Sequence, residues 1–418
     1  VDGARRKPVL AWLAYDFANS AFVAVVPATL YAKYYALHVV GNDHGQGDLW
    51  WGWAVTTAMA LVALTAPPLG AIADRIGARR RFLGIFTYVS VIATALLATV
   101  EPGDVIWGWA LAVVAIGGAE AAFVHYNAYL PTLVPPDRQG RLSAYGFAVG
   151  YLGSALALGA TLPFVLNRLP IAFLITAALF GVFAVPALAY LPPDRRTPGS
   201  GGGITATVRD ALVQTRSTIH RTRALPALRR FLLGYFFFAD GVNTVVFFSA
   251  IFAAHTLGFN TAQIIQLYFA VQLSALLGAW AWARTIDTRG PKLVLQITLL
   301  QWCGVVIAAC LVQTKLQFFL VAVLAGTGLG AVQAASRTFM ATLIPRGQEA
   351  ELFGFYALCG RAASICGPLI FGTASRLSGG NQRIAILVVG LFFVVGLVAV
   401  SGIRAGGPTT ARAGAAGS

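Results

Sequence analysis

Long apolar runs separated by short polar breaks dominate the chain. Twelve of them are long enough to cross a bilayer as a helix: 9–37, 50–73, 82–100, 105–134, 142–167, 170–191, 229–256, 262–285, 292–313, 316–344, 350–375 and 383–403. A bilayer core requires about 20 apolar residues per helix. Barrel strands would instead alternate in segments of about ten. The pattern predicts an all-α membrane protein of about twelve transmembrane helices. The widest break, 192–228, holds Pro192, Pro193 and the run Pro198-Gly199-Ser200-Gly201-Gly202-Gly203, followed by a basic stretch ending at Arg230. It reads as a linker between two six-helix bundles, 1–191 and 229–403. Inside it, Ile204, Val208, Leu212 and Ile219 recur at helical spacing and predict a surface helix over 204–224. Residues 404–418 read as a disordered tail.

The two halves repeat each other. Asp16-Phe17-Ala18-Asn19-Ser20 in the first span matches Asp240-Gly241-Val242-Asn243-Thr244 in the seventh. Asp74-Arg75-Ile76-Gly77 matches Asp287-Thr288-Arg289-Gly290, and Thr132-Leu133-Val134-Pro135 matches Thr342-Leu343-Ile344-Pro345. Three matches in the same order predict a parallel duplication. A carboxylate within an apolar span costs about 2.5–3.5 kcal/mol to insert. Asp16 and Asp240 therefore point to a polar site at the seam between the halves.

Charge changes the picture in one respect. The chain is 58% hydrophobic and 11% charged, with a net charge of +15 and a mean hydropathy of +0.74. The basic excess could suggest nucleic acid, but its distribution argues for topology. With the N-terminus cytoplasmic, 23 of the 30 Lys and Arg fall on the cytoplasmic side and five opposite; Arg337 and Arg361 lie within spans. This is the positive-inside pattern, with both termini cytoplasmic, and it calls for no nucleic-acid partner. Arg5, Arg6 and Lys7 precede a run too long for a signal peptide, and that run contains Asp16 and Asn19, so it reads as a retained helix. The four cysteines, Cys303, Cys310, Cys359 and Cys366, all lie in spans. Each pair is seven residues apart, on one helix face, and reads as packing rather than metal or disulfide.

Gly70-Ala71-Ile72-Ala73-Asp74-Arg75-Ile76-Gly77-Ala78-Arg79-Arg80-Arg81 resembles the loop 2–3 signature of the major facilitator superfamily, with Ala78 displacing the basic pair by one; Asp287 to Lys292 is a weaker copy. Tyr15 to Phe22, Asn127-Ala128-Tyr129-Leu130-Pro131, Gly146 to Gly153, Asp240 to Thr244, and Ser336-Arg337 through Tyr356 are similar to the Atg22-like family within that superfamily. The resemblance covers most of 10–403. It implies two pseudosymmetric six-helix bundles, a central cavity and alternating access. The best-known members export amino acids from the fungal vacuole. It also implies a cytoplasmic gate at Gly70, Asp74, Arg75, Gly77, Arg79 and Arg80, echoed by Asp287, Arg289 and Gly290. There the acid would meet a helix N-terminus and the arginines would latch loop to helix.

The candidate substrate or proton site collects the intramembrane polar residues. Asp16 and Asp240 could carry an ion or proton, or could simply hold helices together through Asn19 and Asn243. Glu120 and His125 lie five apart on the fourth span, so their faces differ by about 140°. One can face the cavity while the other meets a neighbouring helix, and Asn127 adds polar lining. Arg337 and Arg361 could pair with Asp240 or Glu120, or one could bind a substrate carboxylate while an acid binds the ammonium. The glycines at 326, 328 and 330 lack the strand and lysine of a phosphate loop.

The expectation is a monomeric secondary transporter in a bacterial inner membrane, with no cofactor, moving a small polar solute such as an amino acid, with protons or another ion as coupling partner. A lipid flippase and a drug or metabolite exporter would share the fold. The flippase needs a lateral apolar opening and fewer buried charges; the exporter favours aromatic walls. A non-transporting sensor would lose solute exchange. No nucleophile triad, metal cluster or nucleotide loop supports an enzyme.

Overall fold

The computed structural model describes residues 3–165, 167–193, 209, 213, 225–344 and 349–403. The expected surface helix at 204–224 and the tail at 404–418 fall outside them, apart from two isolated positions in the linker. Among the described residues, twelve helices are long and apolar enough to cross a membrane. The first half supplies α1 (Gly3–Val25, resuming as Leu30–Tyr34), α2 (Gln46–Ile76), α3 (Arg79–Leu96), α4 (Val105–Asn127), α5 (Pro136–Thr161) and α6 (Leu169–Tyr190). The second supplies α7 (Pro226–Leu257), α8 (Thr261–Arg289), α9 (Pro291–Leu311), α10 (Lys315–Leu343), α11 in two pieces (Glu349–Ala362 and Cys366–Leu377) and α12 (Gln382–Ser401). Successive helices alternate direction, so the loops fall on two faces. The "linker side" carries the α2–α3 and α8–α9 loops; the "far side" carries the α1–α2 and α7–α8 loops.

Backbone chemistry explains the interruptions. Pro27 cannot donate a hydrogen bond, and α1 breaks beside it. Pro368 has the same effect on α11, which turns out of helix at 363–365. That break separates Cys359 from Cys366, so this pair does not share the helix face that its spacing predicts. At Gly77 and Gly290 the backbone adopts φ values of +62° and +87°, which side chains resist, and these glycines turn α2 into α3 and α8 into α9.

The duplication is visible in the packing. In the first half α1 packs on α5 and α6, α4 on α2 and α3, and α3 on α6. In the second, α7 packs on α11 and α12, α10 on α8 and α9, and α9 on α12. The halves meet where α2 lies on α11 and α5 touches α8, the two contacts that a twofold exchange of bundles interconverts. Apolar side chains such as Leu64, Leu152, Val182, Trp280 and Leu311 stand exposed, as a lipid-facing surface requires.

Close helix approach relies on small residues. A Cβ at Gly153 on α5 would strike the Phe17 carbonyl of α1, whereas one at Gly159 on the same helix would meet nothing. Overpacking a tight contact costs typically about 1–3 kcal/mol. Gly153→Val is therefore expected to lower the thermal unfolding temperature of the purified protein, while Gly159→Ala leaves it unchanged or raises it slightly. Equal effects from the two substitutions would contradict the assignment of this contact.

Candidate functional site

Two arginines from the second bundle grip the first bundle at the seam. Arg361, in the last turn of the first piece of α11, meets Glu120 of α4 at 2.5 Å, and its guanidinium lies 5.5 Å from the centre of the Phe123 ring. Its Nη1 also donates to the Glu120 carbonyl at 3.2 Å. Glu120 and Phe123 are three residues apart and share a helix face. Arg337 of α10 donates to Ser143 Oγ of α5 at 3.2 Å and lies 5.8 Å from the Phe147 ring centre, four residues further along that helix. Both cations thus rest on an aromatic face of the opposite bundle. Their charge balance differs. Arg361 has a carboxylate partner, and the pair keeps side-chain exposures of 17% and 28%. Arg337 is exposed and makes no ion pair among the described residues.

Asp16 lies close enough to Arg337 for their charges to interact, and beside the Tyr126 phenol. It is 9% exposed and Asn19 is 8% exposed. Tyr126 is stacked between Trp12 and Tyr15 at 4.7 and 4.8 Å, and Tyr15 is anchored to Thr87 by a 2.8 Å hydrogen bond. Gly146 of α5 leaves the space that the Asp16 carboxylate occupies. In the second half Tyr235 stacks on Tyr356 at 4.2 Å, also within electrostatic reach of Arg337. The result is an aromatic-walled polar seam holding Asp16, Glu120, Arg337 and Arg361. A separate cavity of about 180 Å³ lies in the far half, lined by Val245, Phe248, Trp302 and Phe318 among others, with no charged side chain.

The repeated aspartate does something different in each half. Asp240 is fully buried and does not open to the seam. Its carboxylate accepts from the Gly367 N–H at 2.9 Å, on the second piece of α11. Asn243 donates to the Ala363 carbonyl at 3.1 Å and to Ser364 Oγ at 2.7 Å. In a continuous helix the Gly367 N–H would bond the Ala363 carbonyl directly. Asp240 and Asn243 take over both ends of that lost bond. From the opposite bundle, Thr56 of α2 donates to the Ile365 carbonyl at 2.8 Å. The break that Pro368 imposes is thus satisfied by side chains, as irregular backbone at membrane depth must be.

Three further expected site residues are scattered. His125, 3% exposed, turns into the first bundle and packs against Phe82 and Phe86. This is the divergence of faces that its five-residue separation from Glu120 produces. Asn127 is exposed at the linker end of α4. Asn243 is held at the break of α11.

In the expected gate, Arg79 donates to the Ala128 carbonyl at 3.1 Å and Arg80 to the Leu191 carbonyl at 3.2 Å, so they cap the ends of α4 and α6 within their own bundle. Lys292 does the same for α12 through the Ser401 and Ile403 carbonyls. Cations suit helix C-termini. The side chains of Asp74 and Arg75 are outside the description. Gly70 sits in α2 with open space where a Cβ would point, and Asp287 and Arg289 are exposed.

The family described as "Vacuole effluxer Atg22 like" matches residues 54–406. The chain belongs to this family. The MFS-type transporter YxiO of Bacillus subtilis is 30% identical over 404 residues, covering 93% of this chain and 92% of its own length. Autophagy-related protein 22-1 of Penicillium rubens is 24% identical over 408 residues, covering 76% of this chain and 68% of its own. The nucleoside transporter NupG superposes with a TM-score of 0.70 at 13% identity, covering 96% of this chain and all of that one. The xylose transporter XylE from E. coli, in an inward open conformation, gives 0.67 at 14% identity, covering 96% and 97%. This Atg22-like protein is therefore a multi-pass membrane transporter of the major facilitator fold, a secondary transporter and not an enzyme.

Sequence reasoning missed Thr56, Asp48, Ser375 and Gln382, all of which make polar contacts between the bundles. Asp48 fell outside a second span drawn from residue 50, whereas α2 begins at Gln46 and buries it. The hydroxyl and amide residues carry no charge that would set them apart within an apolar run.

The helix break offers a direct test. Asn243→Ala leaves the buried Ala363 carbonyl without its donor, a loss worth about 1–3 kcal/mol. Thermal unfolding of the purified protein is expected to fall accordingly. Pro368→Ala, which restores the missing N–H, is expected to recover part of that loss in the Asn243→Ala background. No recovery would mean that the pair does not act through the break.

Proposed function

We propose that the substrate is a small polar solute carrying both a carboxylate and an ammonium group, an amino acid being the simplest, bound at the seam and coupled to protons. The observation that carries this reading is the contrast between the two seam arginines: Arg361 is paired with Glu120, while Arg337 stands exposed and makes no ion pair among the described residues. A guanidinium makes charge-assisted hydrogen bonds to anions, and a planar carboxylate suits its fork. Asp16 and Glu120 are the acids available for the ammonium group. The ion pair between Arg361 and Glu120 supports the same reading. A zwitterion inserted there can replace each half of the pair with its own charges, so the bundles can separate without stranding either one.

Asp16, on the first-bundle wall near Arg337, is the acid assigned to proton coupling. In this reading its protonation removes a negative charge that Arg337 faces and biases which side the carrier faces; a bound proton or solute shifts that equilibrium only by its differential affinity for the two states. The basic loops of the linker side support a cytoplasmic placement of both termini and a plasma-membrane location.

Reconstituted vesicles test this. Labelled amino acids are expected to exchange against unlabelled ones, with Arg337→Ala lowering uptake at least about tenfold and Arg337→Lys restoring only part, because an ammonium lacks the bidentate fork. An imposed pH gradient is expected to accelerate uptake in the wild type and not in Asp16→Asn. Vesicles that move lipid analogues but no amino acid, with both substitutions silent, would overturn the reading in favour of a flippase.

A further inference from the structure

The bundles are fastened on one side by a group to which nothing above assigns a role. Asp48 opens the first turns of α2, is fully buried, and makes no ion pair among the described residues. Its partners come from the opposite bundle. Ser375 Oγ of α11 donates to it at 2.6 Å, and Gln382 Nε2 of α12 donates to both carboxylate oxygens at 2.9 Å. Thr256 of α7 donates to Gln382 Oε1 at 2.7 Å, which fixes the amide with its N–H groups toward Asp48. On its own side Asn42 holds the Asp48 backbone N–H at 2.9 Å. His255 of α7 lies within electrostatic reach of Asp48, and Arg376 of the same bundle donates to the His44 carbonyl at 3.2 Å.

This network sits on the tightest crossing of the seam. A Cβ on Gly52 of α2 would run into the Pro368 carbonyl, and one on Gly372 of α11 would run into the Asp48 carbonyl. The two helices can approach this closely only because both positions are glycine, and the approach dries the carboxylate. The other described hydrogen bonds between the bundles divide unevenly. Lys33 to Thr261 and Trp51 to Phe247 lie in the far half, Thr56 to Ile365 and the Glu120–Arg361 pair lie at mid-depth, and Arg337 to Ser143 is the one toward the linker side among the described residues. On the far side the bundles are fastened together in this conformation.

We propose that Asp48 is the far-side latch of the carrier: the group that Ser375 and Gln382 must release for the bundles to part on that side. The inference rests on alternation between two open states, but not on the identity of the solute. A buried carboxylate that loses its donors has to be rehydrated at once, so the latch is either fully made or fully open, as a two-state gate requires.

Spin labels at Glu101→Cys and Gln313→Cys, exposed far-side positions on opposite bundles, read the opening directly in a background with the four native cysteines replaced by Ala. The unmodified latch is expected to give one short distance without any solute. Asp48→Ala and Ser375→Ala are each expected to raise a second, longer-distance population at least about fivefold. Thr256→Val, which only releases the Gln382 amide, shifts the population in the same direction by less. Should Asp48→Ala fail to fold, Ser375→Ala and Gln382→Leu decide. An unchanged distance distribution in these folded variants overturns the proposal. Because no solute is added, a failed substrate assignment leaves this result standing.

Discussion

A polar group at membrane depth must find its partner within the protein, and the whole structure depends on where each partner comes from. Water is absent from the bilayer core, so an unpaired backbone carbonyl or carboxylate there costs several kcal/mol. Three solutions coexist. Asp240 and Asn243 find partners in their own bundle, at the break in α11. Arg361 and Asp48 find them in the opposite bundle. Arg337 finds a hydroxyl and an aromatic ring, but no direct ion pair among the described residues. The first kind makes a rigid bundle, the second makes an interface that can open only by exchange, and the third leaves room for a guest.

The same logic explains why duplicated halves behave unequally. Asp16 and Asp240 occupy equivalent positions on α1 and α7, yet α5 runs unbroken from Pro136 to Thr161 while α11 is cut by Pro368. The cut creates unpaired backbone groups, and Asp240 is drawn to them. Without a cut in α5, Asp16 turns instead toward Tyr126 and the charge of Arg337. One proline thus converts one member of a matched pair into a structural splint and leaves the other at the seam.

Much of this was legible in the sequence, because hydrophobic length and charge carry strong signals at membrane depth. The twelve spans, the duplication and the intramembrane acids and bases could all be read from residue patterns. The pairing of Arg361 with Glu120 was among the alternatives that charge alone allowed. What could not be read was direction. Helical spacing says that Glu120 and His125 diverge, but not which of them faces the seam. Nor does a motif shared by both halves reveal that Pro368 redirects one copy. Asp48 was hidden for another reason: an acid at the edge of a span looks like loop until the helix start is known to be Gln46.

The central claim is that the bundles must part at the Glu120–Arg361 contact in every cycle. A short bifunctional thiol reagent bridging Thr56→Cys and Ile365→Cys, the neighbouring mid-depth contact four residues beyond Arg361 and outside the proposed solute site, tests it in a cysteine-free background. Linkage is expected to abolish solute exchange in vesicles reversibly, with activity returning when the bridge is cleaved and no effect on either single variant. Exchange that continues at the unlinked rate in fully bridged protein would contradict the account, since the seam would then not be where the carrier opens.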